Sequence, residues 1–135
     1  MILRPAIPTD LPAIAEIQAA CPEASQWNPS DYFNYNCWVA ERDRLCGFVV
    51  TRQTAPGENE VLNLAVAPDC RRGGVGRALL DAALEAAPGA WFLEVRESNV
   101  GAIRLYENAG FQVCGKRPAY YSDPCEAGIV MSREK

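Results

Sequence analysis

The sequence contains no histidine among its 135 residues. Histidine is the most common general base and zinc ligand in proteins, so its absence leaves proton transfer to carboxylates, tyrosines or thiols. Six cysteines are present, but no two show the short C-x-x-C type of spacing that is typical of zinc sites. We therefore predict that the chain binds no metal and that cysteines in its apolar runs are small buried residues.

The chain also lacks an excess of positive charge and a long hydrophobic run. Its formal net charge is −4 and its isoelectric point is about 4.8, which disfavours nucleic acid as a partner. The N-terminal segment is interrupted by Pro5 and Pro8, and no stretch is long enough to span a bilayer. We predict a cytoplasmic protein that does not bind membranes and forms a single domain over residues 1–135.

The apolar periodicity predicts an α/β fold, a mixed sheet with helices on both faces. The predicted strands cover residues 2–4, 37–41, 45–51, 60–66, 91–95, 111–117 and 127–133. Helices are predicted after the capping pair Thr9 and Asp10, from Asn28 onwards, and over residues 75–87 and 100–109. Residues 54–59 and 120–126 are predicted to be loops.

A glycine-rich basic turn at residues 71–77 joins the strand that ends at Val66 to the helix that follows. Unpaired backbone N–H groups, a helix N-terminus and arginine side chains together favour a phosphate or pyrophosphate ligand. A Walker-type loop is excluded because Gly76 is followed by Arg77 and Ala78, without a hydroxyl for magnesium. The turn also departs from a dinucleotide fingerprint, and taken alone it could be purely structural.

Downstream motifs decide between these alternatives. The loop R-x-x-G-x-G beginning at Arg71, the segment F-L-E-V-R-E-S-N over residues 92–99 and L-Y-E-N-A-G-F over residues 105–111 resemble the GNAT superfamily of acyl-CoA-dependent N-acetyltransferases. With Tyr120-Tyr121 and the segment ending at Met131, they are most similar to the RimI-type ribosomal-protein-alanine N-acetyltransferases. The resemblance implies the GNAT fold, with a mostly antiparallel sheet of six to seven strands and about four helices on both faces.

The resemblance also implies acetyl-CoA as the acyl donor and gives positions for its contacts. The diphosphate is expected on the turn, the thioester arm along the preceding strand, and a further contact at a helix start. Val66 is expected to offer a backbone donor to the oxyanion that forms when an amine attacks the thioester. The expected donor-binding residues are Leu64, Ala65, Val66, Arg71, Arg72, Gly73, Gly74, Val75, Gly76, Arg77 and Asn99. For Asn99, simple capping of the helix is an equal alternative.

Glu94 interrupts an otherwise apolar strand at residues 91–95. A carboxylate in a buried strand is costly unless it is paired, and such groups serve as general bases. The alternatives are a salt bridge to Arg96 or another arginine, or exposure at the strand end. The resemblance implies that Glu94 is the proton acceptor in catalysis.

Tyr106 follows twelve residues later on the predicted helix, where packing is the simpler interpretation of its ring. The resemblance makes it the proton donor to the departing CoA thiolate. Tyr120, Tyr121 and Trp27 are weaker candidates for an acceptor groove, with packing at least as favoured. Cys125 could suggest an acyl-cysteine route, but no histidine exists to activate it, so direct transfer is favoured.

The acceptor implied by the resemblance is a protein N-terminal α-amine, the alanine of a small-subunit ribosomal protein. Holding an α-amine neutral costs about 3 kcal/mol less than holding a lysine amine neutral, which makes an N-terminal acceptor compatible with one carboxylate base. Residues 126–128 read Glu-Ala-Gly where many relatives carry Glu-Asp-Ala, so the acceptor stays open. A small-molecule amine acceptor and a non-catalytic acyl-CoA-binding domain are the alternatives.

Overall fold

The computed structural model of the chain describes residues 1–122 and 125–134, excluding the side chains of residues 119, 120, 122 and 125. Within these residues, strands β1 to β7 form one sheet in the order β1-β2-β3-β4-β5-β7-β6. Neighbouring strands are antiparallel except for β4 and β5, which are parallel. The strands are β1 (Ile2–Pro5), β2 (Asn36–Glu41), β3 (Leu45–Ala55), β4 (Glu58–Val66), β5 (Ala90–Arg96), β6 (Gln112–Ser122) and β7 (Cys125–Arg133).

The parallel pair β4–β5 is short. Residues 58–61 of β4 pair with residues 90–93 of β5, and the pairing stops at Val61 opposite Leu93. The register between β3 and β4 also shifts next to this point, between Val50 and Thr51, where Leu62 is left out of the pairing. A bulge of this kind bends the strand that carries it. The C-terminal halves of β4 and β5 therefore diverge and leave a gap in the sheet.

Helices cover both faces of β3. Residues 45–51 of β3 are all buried, and β3 packs against both α1 (Leu11–Ala19) and α2 (Val75–Ala86). The third α-helix in the described residues, α3 (Val100–Asn108), follows β5. The helix predicted from Asn28 is a 3-10 helix, Pro29–Asn34, with the Asn28 side chain accepting from the Ser30 N–H at 3.2 Å. None of these helices in the described chain is long and apolar enough to cross a membrane.

Two predicted loops are wrong. Residues 54–59 are mostly strand, because β3 and β4 continue to a tight turn at Pro56 and Gly57, where Gly57 has φ +75°. The predicted loop at 120–126 is likewise shorter, since β6 reaches Ser122 and β7 begins at Cys125. The β3–β4 hairpin extends past the buried part of the sheet, where residues 52–54 and 58 are polar and exposed and no apolar alternation marks a strand.

A buried polar cluster holds the loop after α1 against β4. The Tyr32 hydroxyl donates to Gln18 Oε1, and Asn63 Nδ2 donates to the Tyr32 hydroxyl at 3.0 Å and to the Ser25 carbonyl at 2.9 Å. Gln18 Nε2 donates to the Trp27 carbonyl at 2.6 Å. Because buried polar groups are costly when unpaired, this cluster anchors the loop at Ser25 and Trp27 beside the gap in the sheet.

We expect Tyr32→Phe to lower the free energy of unfolding by about 1–3 kcal/mol, because it deprives the buried Gln18 and Asn63 side chains of one hydrogen-bond partner. Tyr35→Phe is the matched control, since Tyr35 is 37% exposed. Denaturant unfolding of both variants measures the difference. Equal stabilities would show that the cluster does not stabilise the fold.

Candidate active site

A large cleft opens between the end of β4, the start of α2 and the first turns of α3. Its volume is about 620 Å³. The residues lining it come from the loop after α1, from the turn before α2 and from the exposed side of α3. They are Cys21, Glu23, Ala24, Leu64, Ala65, Val66, Arg71, Arg72, Gly74, Val75, Gly76, Arg77, Asn99, Gly101, Ala102, Arg104 and Leu105. We call this cavity the donor cleft.

The turn before α2 presents backbone N–H groups to the donor cleft. Gly74 caps α2 in the left-handed conformation with φ +77°, and Arg72 has φ +67°. A β-carbon on Gly76 would lie 3.3 Å from Leu105 Cδ2, so glycine allows α2 to approach α3 closely. The first N–H groups of a helix lack internal partners and carry a partial positive charge. This end of the cleft suits a phosphate group.

The arginines of the cleft have different surroundings. Arg71 Nη2 donates to Glu23 Oε1 at 2.8 Å and to Cys21 Sγ at 3.3 Å, so this side chain points back along β4. Arg77 Nε donates to Asp81 Oδ1 at 2.9 Å along α2. Arg72 and Arg104 are exposed at the cleft surface. Four guanidinium groups around one cleft give it a positive potential in an acidic protein.

Of the eleven residues predicted to bind the donor, all but Gly73 line this cleft, and their contact with acetyl-CoA stays a prediction. Gly73 does not line the cleft. It faces Arg42 instead, whose Nη2 donates to the Gly73 carbonyl at 3.3 Å. Asn99 caps α3, since its Oδ1 accepts from the Ala102 N–H at 3.2 Å. The residue also lines the cleft, and its contact with CoA stays a prediction.

A second, smaller cavity of about 30 Å³ lies in the gap between β4 and β5. Glu94 from β5, Tyr106 from α3 and Tyr121 from β6 are among the polar residues that line it, which also include Glu23, Ser25, Asn63, Arg96 and Asn99. Five residues border both cavities, namely Glu23, Ala24, Leu64, Asn99 and Ala102. The two spaces are therefore adjacent, and we call the smaller one the chemical pocket. The structure brings Glu94 and Tyr106, the two residues predicted to be catalytic, to this one pocket.

Glu94 has one paired and one unpaired carboxylate oxygen. Its Oε1 lies 3.4 Å from Arg117 Nε, whereas Oε2 is buried without a hydrogen-bond partner among the described residues. The alternative of a salt bridge to an arginine is therefore confirmed, but the partner is Arg117 and not Arg96, since Arg96 Nη1 pairs with Glu126 Oε1 at 3.1 Å. An unpaired buried carboxylate oxygen is costly and is rare outside sites that bind a proton or a ligand.

Tyr106 is almost entirely buried, with 5% of its surface exposed. Burial raises the pKa of its phenol above the ordinary value, and the neighbouring Tyr121 adds to the increase. The ring also packs on Phe111, with 5.6 Å between ring centroids. Tyr106 therefore combines the packing role with a protonated hydroxyl at the pocket.

The outer wall of the chemical pocket is held by a charged cluster. Glu126 accepts from Arg96, from the Ser98 hydroxyl and from the Ser98 N–H at 3.0–3.1 Å, and Arg96 lies 4.3 Å from the Tyr121 ring centroid. Desolvation opposes ionisation of Glu126, but the bonds from Ser98 and Arg96 outweigh it and lower the pKa of this carboxyl. The cluster thus positions Tyr121.

Trp27 and Tyr120 are the other two residues predicted as candidates for an acceptor groove. Trp27 is 44% exposed and borders neither the donor cleft nor the chemical pocket. The side chains of Tyr120 and Cys125 lie outside the described part of the structure. Within the described residues, no three His, Cys, Asp or Glu side chains are grouped so that they could hold a metal ion.

Comparisons with known proteins show the family to which this chain belongs. The sequence profile described as the acetyltransferase (GNAT) family matches residues 10–111, which is more than half of the chain. The chain belongs to the GNAT acetyltransferase family. It is an N-acetyltransferase of the GNAT fold, and members of this family use acetyl-CoA as acyl donor.

Individual relatives agree with this membership. The [ribosomal protein bS18]-alanine N-acetyltransferase of Escherichia coli is 33% identical over 136 aligned residues, which cover 92% of this chain and 90% of that protein. Its crystal structure superimposes with a TM-score of 0.82, and that of Ard1 from Thermoplasma volcanium with 0.86 at 28% identity, covering 98% of this chain and 96% of Ard1. The E. coli superposition covers 98% of this chain and 92% of that structure.

A mycobacterial relative differs in length. An uncharacterized protein of Mycobacterium leprae is 45% identical over 107 residues, which cover 75% of this chain and 30% of that protein. The GNAT chain described here therefore spans less than a third of that relative.

The sequence interpretation missed the residues that reach the cleft from other elements. Cys21, Glu23 and Ala24 come from a loop about 40 residues before β4 ends, and no motif marks them. Gly101, Ala102, Arg104 and Leu105 line one side of α3, and the helical spacing after Asn99 was the only signal that could have found them.

We expect Gly74→Ala to destabilise the GNAT domain by about 1–2 kcal/mol, because only glycine adopts the left-handed conformation without strain. Gly101→Ala is the control, since Gly101 is helical and a β-carbon there would meet nothing within 4 Å. The free energy of unfolding of Gly101→Ala should equal that of the wild-type protein or exceed it by up to about 1 kcal/mol. Denaturant midpoints compare the two, and an unaffected Gly74→Ala would refute the strain argument.

Proposed function

We propose that this GNAT enzyme acetylates the N-terminal α-amine of a protein, the N-terminal alanine of a ribosomal protein, by direct transfer from acetyl-CoA in a ternary complex. One observation carries the chemistry. Glu94 Oε2 is buried in the chemical pocket without a partner among the described residues, next to a cleft lined by a helix N-terminus and four arginines. This arrangement supports a proton acceptor beside a bound anionic donor.

The donor side follows from the cleft. The N–H groups of Gly74, Val75 and Gly76 at the start of α2 bind the diphosphate, assisted by Arg72 and Arg77. The thioester arm then lies along residues 64–66, beyond the point where β4 stops pairing with β5. The Leu64 N–H there already donates to Asn63 Oδ1 at 3.0 Å, and the Val66 amide is our proposed donor to the oxyanion.

The reaction begins with the amine nitrogen attacking the thioester carbonyl, which forms a C–N bond and places negative charge on the carbonyl oxygen. Glu94 takes one proton from the nitrogen, directly or through a water molecule, and stays within the pocket as a neutral acid. Collapse of the oxyanion breaks the C–S bond and releases the CoA thiolate. The products are the N-acetylated terminus and CoA, and Glu94 returns its proton to solvent.

Tyr106 stabilises the leaving thiolate. The hydroxyl is protonated because burial raises the pKa of the phenol. The ordinary pKa of a thiol is already about 1.5 units below that of a phenol, so complete proton transfer from Tyr106 is uphill. We therefore propose that Tyr106 donates a hydrogen bond to the sulfur, and that protonation of the thiolate is completed as CoA leaves.

The acceptor is inferred from two arguments. The E. coli relative is named for the alanine of ribosomal protein bS18, and it covers nearly the whole chain. An α-amine also needs about 3 kcal/mol less than lysine to become neutral, which fits a single carboxylate. Ala127 follows Glu126 on β7, beside the charged cluster that positions Tyr121. Relatives with the sequence Glu-Asp-Ala carry an aspartate at this position, so this chain has one carboxylate fewer there.

We expect Glu94→Gln to lower kcat about 10²–10⁴-fold at neutral pH, because the amide cannot accept the proton. The loss should shrink as the pH rises towards the pKa of the acceptor amine, since the amine then arrives neutral. Initial rates from pH 6 to about pH 10 measure this profile.

Glu97→Gln is the matched control for Glu94→Gln. Glu97 lies three residues further on, is 49% exposed and pairs with Lys116 at 2.8 Å outside the chemical pocket. Its profile should follow the wild-type protein. A Glu94 variant with an unchanged pH–rate profile would remove Glu94 from the role of base.

We expect peptides with a free N-terminal alanine to be acetylated on the α-amine, because that amine loses its proton most easily. Incubation with acetyl-CoA and an N-terminal peptide library, followed by mass spectrometry, locates the acetyl group. Polyamines and free amino acids serve as the comparison set. Transfer to these alone would support a small-molecule acceptor, and CoA binding without any transfer would support a non-catalytic domain.

A further inference from the structure

Residues 21–25 cross the boundary between the donor cleft and the chemical pocket, and we call them the strap. On the β4 side, Asn63 Nδ2 donates to the Ser25 carbonyl at 2.9 Å, and the Cys21 thiol donates to the Val66 carbonyl at 3.3 Å. On the α3 side, Asn99 Nδ2 donates to the Glu23 carbonyl at 3.4 Å. The strap therefore bridges the gap where β4 and β5 diverge.

One ion pair fastens the middle of the strap to the phosphate-binding turn. Arg71 Nη2 lies 2.8 Å from Glu23 Oε1, and the same guanidinium donates through Nε to the Val66 carbonyl at 3.2 Å. Glu23 is the only carboxylate among the residues that line the donor cleft in the described structure. It therefore places a negative charge in the space that the proposed function gives to an anionic donor.

The position of the strap restricts the path of the thioester. Glu23 and Ala24 on the strap face Leu64 and Ala102 across the border that both cavities share. The chemical pocket beyond this border holds about 30 Å³, against about 620 Å³ in the donor cleft. The strap therefore lies across the passage from the wide cleft to the narrow pocket, and its movement would widen that passage for the acetyl thioester.

We propose that the Glu23–Arg71 ion pair is a latch that the diphosphate of acetyl-CoA displaces. The diphosphate takes the Arg71 guanidinium from Glu23, and the released strap lets the thioester arm pass into the chemical pocket. Both partners are partly exposed, with 46% of Arg71 and 34% of Glu23 accessible, so the exchange occurs between solvated groups and costs little. This inference rests on the proposed function, because it requires acetyl-CoA in the donor cleft.

The test compares CoA affinity in three variants by calorimetry. Glu23→Gln removes the competing carboxylate, and Glu23→Asp keeps the charge but is too short to reach Arg71. We expect both to lower the Kd for CoA about two- to five-fold, the range that corresponds to one exposed ion pair. Asp69→Asn removes the same charge two residues before Arg71, where Asp69 pairs with Arg44 outside both cavities, and its Kd should not change.

Hydrogen exchange on the unliganded proteins supplies a second measurement. The strap amides should exchange faster in both Glu23 variants than in the wild-type protein and in Asp69→Asn. Unchanged strap exchange, a higher Kd for Glu23→Gln, or tightening in Glu23→Gln without tightening in Glu23→Asp would each overturn the latch. Equal tightening in Asp69→Asn would show a net-charge effect and would overturn it as well.

These outcomes separate the latch from the proposed function. If the wild-type protein does not bind CoA, both proposals fail. If it binds CoA but the Glu23 variants do not bind more tightly, the latch alone is wrong.

Discussion

The divergence of β4 and β5 after the Val61–Leu93 pair is the constraint on which the site depends. Parallel strands normally continue to pair until a turn separates them, and here the pairing ends inside both strands. The separation leaves residues 64–66 at the wall of the donor cleft and creates the space in which Glu94 lies. A carboxylate within a continuous sheet would have no access to a substrate, so the proposed role of Glu94 as a base depends on this gap.

Polar contacts at three places keep the gap open in a defined shape. The Gln18–Tyr32–Asn63 cluster holds one side, and the Arg96–Glu126 pair holds the other. The strap crosses the border between the two cavities and is held there by the Glu23–Arg71 ion pair. Hydrogen bonds of this kind contribute little net stability, but they are costly to leave unmade, so they specify one arrangement of loops that apolar packing alone would not. The unpaired Oε2 of Glu94 is the exception, and its position coincides with the proposed chemistry.

The accuracy of the sequence interpretation depended on local signals. The strand before the turn, the start of α2 at Val75 and the cap at Asn99 were correct, because glycine conformation and capping act over a few residues. The loops predicted at residues 54–59 and 120–126 were wrong, because the strand ends there are stabilised by backbone pairing between strands, which no apolar pattern marks. Gly73 was placed in the cleft by its position in the motif, although its carbonyl faces Arg42.

The sequence by itself determined the glycine-rich turn before α2, the absence of a histidine base and the choice of Glu94 and Tyr106 as candidates, since each depends on residue type and short spacing. Only the tertiary structure decided which charges pair. Arg71 contacts a carboxylate 48 positions earlier, Glu94 contacts Arg117 and not Arg96, and the strap reaches Asn99 across 76 positions. Such pairs are set by how strands and loops are arranged around the core, and no local pattern in the chain encodes that arrangement.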